Sequence, residues 1–123
     1  MLHPHAKARC LDALKFCCKR INAHGVNKIL AVGTAALRNA KDGNKFVKQI
    51  ESECGVSYKI LSGEEEAELT FKAITNEFGH LGKSLFMIDI GGGSTELVAG
   101  DINNIKSRIS LNVGTVSFSE KYL

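Results

Sequence analysis

The chain of 123 residues contains no tryptophan and a single proline, Pro4. None of its apolar runs approaches the roughly 20 residues that a membrane-spanning helix needs, and residues 1–5 lack the apolar core of a signal peptide. We find no internal repeat and no linker rich in proline or serine. These absences favour an ordinary folded protein without a membrane segment, and we expect it in the cytoplasm.

The four cysteines form no C-x-x-C pair, the spacing on which many zinc sites depend. Three of them fall within one predicted helix, and two are adjacent in sequence, which is a poor arrangement for a disulfide. A zinc site would also have to recruit His3, His5 or His24. We therefore expect free thiols, as in a reducing compartment, at the following positions: Cys10, Cys17, Cys18 and Cys54.

The net charge of +3 is unevenly distributed. Residues 1–55 carry ten Lys or Arg and four Asp or Glu, a net charge of +6, whereas residues 56–123 carry six and nine, a net charge of −3. A basic part beside an acidic part suits a polyanionic substrate. Nucleic acid is a less suitable partner because no aromatic residues interleave the lysines.

Apolar spacing and turn residues predict alternating helices and strands, followed by a run of strands. The predicted helices cover residues 6–24, a short stretch after 33, 44–54 with Asn44 as its cap, 62–78 and a stretch after Gly114. The predicted strands cover residues 28–32, 56–61, 85–88, 96–99 and 105–113. This order is typical of an α/β fold, and the polar connection at 79–83 is the best candidate for a domain boundary.

The most informative segment is residues 89–98, Asp-Ile-Gly-Gly-Gly-Ser-Thr-Glu-Leu-Val. Glycines let backbone N–H groups approach an anion closely, and consecutive N–H groups can form a cradle for it. Ser94 and Thr95 add hydroxyl donors, while Asp89 can hold a metal ion or position a water. A plain hairpin turn would need neither three glycines nor these polar neighbours. The segment predicts a phosphate-binding turn, formed by Gly91, Gly92, Gly93, Ser94 and Thr95.

Two familiar phosphate loops do not fit this segment. A Walker A loop needs a lysine before its Ser or Thr, and no lysine is present here. A dinucleotide-binding loop leads from a strand into a helix, whereas residues 96–99, Glu-Leu-Val-Ala, favour a second strand.

Three consecutive glutamates begin the predicted helix 62–78. Ser62 and Glu65 have the spacing of a capping box, so Glu65 has a structural role. Glu64 suits the positive end of the helix dipole as a solvated acid. Glu66 can project from the strand–helix junction and act as general base on a water, although acids in a first helical turn are commonly structural.

Arg38 follows a similar junction between strand, loop and helix. Ligands of open α/β folds bind at such an edge of the sheet, and an arginine matches phosphate oxygens. A surface ion pair is the alternative interpretation of Arg38. Thr34, at the same junction, is interpreted as a helix cap in preference to a phosphate donor.

Three ordered motifs, 33–38, 62–67 and 89–97, together resemble the exopolyphosphatase/guanosine pentaphosphate phosphatase family, and residues 110–116 resemble its next strand and glycine turn. The resemblance implies the actin-like ATPase superfamily, with a ribonuclease-H-like fold in each of two domains. Residues 1–79 would be the back part of the first domain, and 80–123 the first strands of the second.

The resemblance also implies residue roles. Glu66 matches the family's water-activating glutamate, Arg38 its phosphate-contacting arginine, and Asp89 the acid at its metal and phosphate site. Residues 91–95 match its second phosphate loop. The expected function is release of terminal phosphate from inorganic polyphosphate or guanosine pentaphosphate with a divalent cation, Mg²⁺. The alternatives are a non-catalytic module that binds polyphosphate or a guanosine alarmone, and a kinase of the same superfamily.

The family's first strand, first phosphate loop and first hairpin have no match in residues 1–27. The chain therefore resembles an internal piece of the family's two-domain unit, and we expect it to be catalytically incomplete by itself. The strands at 29–32 and 56–61 would then offer an unpaired edge or uncovered apolar faces. We accordingly expect self-association as a homo-oligomer.

Overall fold

The computed structural model of the chain describes the backbone of residues 1–123 and every side chain except that of Leu81. The chain divides into two compact units, Met1–Ile60 and Leu61–Leu123. The predicted boundary near residue 79 concerns the two domains of the family and stays a prediction.

The N-terminal unit consists of α1 (Pro4–Ala23), β1 (Ala31–Gly33), α2 (Ala35–Asn39), α3 (Gly43–Cys54) and β2 (Tyr58–Ile60). The two strands pair in parallel, with Ala31 opposite Tyr58. Parallel neighbours need a long crossover connection, which α2 and α3 provide. The core of the unit contains Leu11 from α1 packed with Phe46 and Ile50 from α3.

Two glycines follow the ends of helices. Gly25 follows α1 with φ of 62°, and Gly55 follows α3 with φ of 68°. Both lie in the left-handed region, which a side chain makes costly, so each glycine provides a relaxed helix end.

Three predicted boundaries in this unit are wrong. The strands are shorter than 28–32 and 56–61, because β1 pairs with β2 only through Ala31–Gly33 and Tyr58–Ile60. Asn44 is not the cap of α3, because the Phe46 N–H already donates to the Asp42 carbonyl at 2.9 Å and the helix starts at Gly43.

Asp42 ties the N-terminus of the chain to the start of α3. Its carboxylate accepts a hydrogen bond from the Leu2 N–H at 2.8 Å and pairs with the Lys7 ammonium group. These interactions, with Lys7 first and the Leu2 N–H second, lower the pKa of Asp42 from an ordinary 3.8 to about 2. The carboxylate is thus stabilised in its charged form by the folded state.

We expect Asp42→Asn to lower the midpoint of thermal unfolding at neutral pH. Because the folded-state pKa is depressed, the stabilisation from Asp42 is fully present above its unfolded pKa near 4 and is lost as the pH falls toward 2. The difference between the two proteins should therefore shrink between pH 5 and about 2. Thermal unfolding followed by circular dichroism across this range measures it. A difference that stays constant with pH would contradict the assignment.

The C-terminal unit consists of α4 (Gly63–Phe78), a 3₁₀ turn (Gly79–Leu81), β3 (Leu85–Ile90), β4 (Thr95–Gly100), β5 (Ile105–Leu111) and α5 (Thr115–Tyr122). The three strands form an antiparallel sheet in the order β3-β4-β5. The predicted hairpin of β3 and β4 is therefore confirmed.

One face of this sheet is covered by α4. Ala67 and Phe71 of the helix pack with Met87 of β3 and Val98 of β4, all at most 4% exposed. The opposite face of the sheet carries large apolar side chains that are at least half exposed, namely Phe86, Ile88, Ile90 and Ile109.

Among the residues that the structure describes, no helix is both long enough and apolar enough to cross a membrane. The predicted self-association concerns more than one copy of the chain and stays a prediction.

Candidate functional site

The predicted phosphate turn connects β3 to β4. Gly91, Gly92, Gly93 and Ser94 lie between the two strands, and the Gly91 N–H closes the turn by donating to the Ser94 carbonyl at 2.9 Å. Within the described backbone, positive φ occurs at Gly25 and Gly55 and not in this turn. A Cβ at Gly91 would lie 3.1 Å from the Ser94 carbonyl oxygen, whereas one at Gly92 would make only an ordinary contact with Val116 at 3.4 Å.

The carbonyl groups of the turn are held by the first turn of α5. The Thr115 N–H donates to the Gly91 carbonyl at 2.9 Å, and the Val116 and Ser117 N–H groups donate to the Gly92 carbonyl at 2.9 and 3.0 Å. The N-terminal N–H groups of a helix have no partners inside the helix. Here they are satisfied by the glycine turn.

This arrangement fixes the direction of two N–H groups. A trans peptide carries its C=O and N–H on opposite sides, and no peptide bond in the described backbone is cis. Since the Gly91 and Gly92 carbonyls point toward α5, the Gly92 and Gly93 N–H groups point away from it. Among the described residues, neither of these two N–H groups has an acceptor. Two consecutive N–H groups on one side form the kind of concave site that binds anions.

Helix α4 brings Glu66 to the same end of the sheet. Successive residues of the helix meet successive residues of β4 and the loop after it. Ala67 packs on Val98, and the Phe71 ring lies 3.1 Å from where a Cβ on Gly100 would stand. Gly79, just after the helix, lies against Ile102. The helix therefore runs in the same direction as β4, and its first turn lies at the end where the glycine turn begins β4. Glu66, directly before Ala67, is half-buried there.

The other glutamates of α4 serve the helix itself. The Ser62 N–H donates to Glu65 Oε2 at 3.0 Å and the Glu65 N–H donates to Ser62 Oγ at 3.1 Å, so the predicted capping box is confirmed. Glu64 lies 3.7 Å from Arg108 of β5, and Glu68 accepts a hydrogen bond from Arg108 at 2.8 Å. Lys72, and then Arg108, lower the pKa of Glu68 below its ordinary value.

Two carboxylates face each other beside the glycine turn. Asp89 of β3 lies directly opposite Glu96 of β4, and Glu96 lies opposite Ser110 of β5. Side chains alternate along a strand, so Asp89 shares the face of Met87, and Glu96 that of Val98, both of which α4 covers. Glu96 is 1% exposed, and its Oε1 accepts a hydrogen bond from Ser110 Oγ at 2.7 Å.

The carboxylate pair fits a small divalent cation that also binds substrate oxygens. Mg²⁺ is usually held by one or two carboxylates together with substrate phosphates, and not by a cage of protein ligands. No group of three or more possible metal ligands occurs among the described residues. Asp89 and Glu96 are the residues of this site that could hold such an ion.

The Ppx/GppA phosphatase family model matches residues 1–123, the whole chain. The chain belongs to this family. Among curated relatives, a guanosine-5′-triphosphate,3′-diphosphate pyrophosphatase of Vibrio cholerae is 35% identical over 117 residues. A bifunctional 3-dehydroquinate synthase/phosphatase of Fusobacterium nucleatum is 33% identical over 124 residues.

Solved structures of this family match the fold of the chain. An exopolyphosphatase from Cytophaga hutchinsonii superposes with a TM-score of 0.94 at 27% identity over 99% of the chain. A Ppx/GppA family member from Aquifex aeolicus superposes with a TM-score of 0.80 at 28% identity, also over 99%. The predicted family, the α/β class and the actin-like, ribonuclease-H-like fold are confirmed.

The chain is much shorter than these relatives. It spans 23% of the Vibrio cholerae protein and 19% of the Fusobacterium nucleatum protein. It spans 39% and 40% of the two solved chains.

The sequence predicts Arg38 as a residue of the phosphate site. In the structure, Arg38 belongs to the N-terminal unit and the glycine turn to the C-terminal unit. Arg38 is half-buried in α2, and its N–H donates to the Thr34 carbonyl at 2.9 Å. Thr34 occupies the predicted cap position without a capping hydrogen bond from its side chain. Since the glycine turn belongs to the other unit, the role of Arg38 stays a prediction.

Glu96 was missed as a site residue, although the sequence carried a signal for it. In the strand Thr95–Gly100, Glu96 has the same parity as Val98, so one face would carry both a charged and an apolar residue. A charged residue on the buried side of a strand is uncommon unless it is paired or functional.

We expect Ser110→Ala to destabilise the C-terminal unit by about 1–3 kcal/mol, because it leaves a buried carboxylate oxygen of Glu96 without its donor. Chemical denaturation measures the free energy of unfolding. Ser107→Ala is the matched control, since Ser107 is exposed on the same strand, and its effect should stay within about 0.5 kcal/mol. Equal effects of the two substitutions would contradict the role of Ser110.

Proposed function

We propose that the chain supplies the phosphate-binding and water-activating part of a phosphoanhydride hydrolase. The observation that carries this proposal is the pair of N–H groups on Gly92 and Gly93, which point to one side and have no acceptor among the described residues. The carboxylates of Asp89 and Glu96 lie beside them, and Glu66 lies at the same end of the sheet. The candidate substrates are inorganic polyphosphate and guanosine pentaphosphate, in keeping with the names of the relatives.

The proposed reaction is hydrolysis of the terminal phosphoanhydride bond. The Gly92 and Gly93 N–H groups bind oxygens of the terminal phosphate and stabilise the negative charge that develops there. The Glu66 carboxylate accepts a proton from a water whose oxygen attacks the terminal phosphorus. The bond from this phosphorus to the bridging oxygen breaks, and that oxygen leaves with the shortened chain.

A divalent cation held by Asp89 and Glu96 would neutralise charge on the phosphate oxygens. We propose Mg²⁺, because its coordination suits two carboxylates combined with phosphate. Arg38 is the proposed additional phosphate contact. Its guanidinium group has the fork geometry that binds phosphate.

A non-catalytic binding module is the second candidate, and one observation favours it. The Gly92 and Gly93 N–H groups and the carboxylate pair of Asp89 and Glu96 lie within the C-terminal unit, and binding of a polyanion needs these groups alone. Such a module would bind the polyanion and leave its bonds intact.

Two measurements on the same sample test the proposal. Isothermal titration calorimetry with inorganic tripolyphosphate and Mg²⁺ measures binding, and a free-phosphate assay with polyphosphate or guanosine pentaphosphate measures release. If the chain binds without release, the assay is repeated on the Cytophaga hutchinsonii exopolyphosphatase with its matching segment replaced by residues 1–123. Release there, abolished by EDTA, supports the hydrolase. Binding without release in both proteins supports the module, and no binding overturns both candidates.

A further inference from the structure

We propose that Thr95 and Gly114 are positioning residues of the glycine turn. They hold the segment Val113–Ser117, named here the α5 clamp, against the turn. The clamp keeps the Gly91 and Gly92 carbonyls turned inward and the Gly92 and Gly93 N–H groups turned outward. This inference deepens the proposed function and rests on it. It also gives Thr95 a different role from the direct phosphate donor that the sequence predicts.

The Thr95 hydroxyl binds the clamp. Thr95 Oγ1 donates to the Val113 carbonyl at 2.6 Å. A threonine hydroxyl has a single proton to donate, so in this arrangement it has none left to donate to a phosphate oxygen. The side chain also lies on the face of β4 opposite to Glu96 and Val98, because neighbouring side chains of a strand alternate between its faces.

Gly114 makes the close approach of the clamp possible. A Cβ at this position would lie 2.5 Å from the Gly92 carbonyl carbon and 2.6 Å from both the Gly91 and Gly92 oxygens. Its φ of −145° is an extended conformation that any residue adopts. Glycine is therefore required here for space, and the atoms that a side chain would displace are those of the phosphate turn itself.

The start of α5 is occupied by these contacts. Three N–H groups of its first turn donate to turn carbonyls, and the Gly114 N–H donates to Ser117 Oγ at 2.9 Å. A helix N-terminus often binds anions directly. Here it acts on an anion indirectly, by orienting two peptide groups of the adjacent turn.

Gly114→Ala and Gly100→Ala form a matched pair that separates positioning from stability. A Cβ at Gly100 would lie 2.4 Å from the Asn104 carbonyl oxygen, a comparable clash at the opposite end of the same sheet. Both variants should unfold at lower temperature than the unsubstituted chain. Gly114→Ala alone should shift the ¹H–¹⁵N signals of Gly92 and Gly93 and weaken tripolyphosphate binding at least tenfold, measured where both variants are folded. Equal weakening by the two variants, or none by Gly114→Ala, would overturn the proposal.

Thr95 provides a second test that does not depend on the folding of Gly114→Ala. Thr95→Val should shift the same two amide signals and weaken binding, and Thr95→Ser should restore both. In the double variant, the loss of affinity should not exceed that of Gly114→Ala, because both residues act through one clamp. Independent, additive losses would show that Thr95 contacts the phosphate itself and would overturn its positioning role.

The amide signals also separate this inference from the proposed function. If the unsubstituted chain binds no tripolyphosphate, the proposed function fails. Shifts of the Gly92 and Gly93 signals in Thr95→Val and Gly114→Ala, but not in Gly100→Ala, would still support the clamp. Unchanged signals would overturn it.

Discussion

Replacement of Glu66 by glutamine is expected to lower the rate of phosphate release by about 10²–10⁴-fold, the usual contribution of a general base. Glutamine has nearly the same shape as glutamate but cannot accept the proton of the attacking water. The glycine turn is unchanged by this substitution, so the affinity for tripolyphosphate should stay within a few-fold of that of the unsubstituted protein. The measurement is a free-phosphate assay in the protein that shows release, with calorimetry in parallel.

Glu64→Gln is the matched control for this experiment. Glu64 belongs to the same helical turn and lies 3.7 Å from Arg108, but it is exposed. Exposed ion pairs contribute little to stability, so turnover should remain near that of the unsubstituted protein. Near-normal turnover in Glu66→Gln, or an equal loss in both variants, would remove Glu66 from the proposed mechanism.

Phe71→Ala is expected to produce the largest loss of stability in the C-terminal unit. The ring is 2% exposed and packs with Ala67, Met87 and Val98 between α4 and the sheet. Truncation of a buried phenylalanine typically costs about 3–5 kcal/mol, because it combines lost burial with a cavity. A loss of this size is a large fraction of the roughly 5–15 kcal/mol by which native proteins are stable.

Phe78→Ala, at the end of the same helix, is the control, since that side chain is 49% exposed. The free energy of unfolding from urea titration should fall strongly for Phe71→Ala and by less than about 1 kcal/mol for Phe78→Ala. Similar losses in the two variants would mean that the interface between α4 and the sheet does not hold the unit together.

Local signals in the sequence were sufficient for much of the C-terminal unit. The capping box of Ser62 and Glu65 and the glycine-rich hairpin depend on residues close together in sequence, and both are confirmed. The boundaries of β1 and β2 depend on pairing between strands about 27 positions apart, Ala31 with Tyr58. Apolar content alone could not limit those strands to three residues each.

Only part of the site could be predicted from the sequence, because several of its contacts also join residues that are distant in sequence. Asp89 and the glycines form a motif that the sequence shows directly. The role of Glu96 as a possible metal ligand depends on its register opposite Asp89 and Ser110. The contact between Thr95 and Val113 joins residues 18 positions apart. The sequence alone therefore predicts that the Thr95 hydroxyl donates to a ligand, whereas its acceptor in the structure is the Val113 carbonyl.

Three carboxylates, of Glu66, Asp89 and Glu96, lie at the end of the sheet that also offers the Gly92 and Gly93 N–H groups. A polyphosphate chain approaching this end meets repulsion from these acids unless a cation is present. The cation and the polyanion should therefore bind with positive cooperativity. By thermodynamic linkage, the factor by which Mg²⁺ raises the affinity for tripolyphosphate must equal the factor by which tripolyphosphate raises the affinity for Mg²⁺.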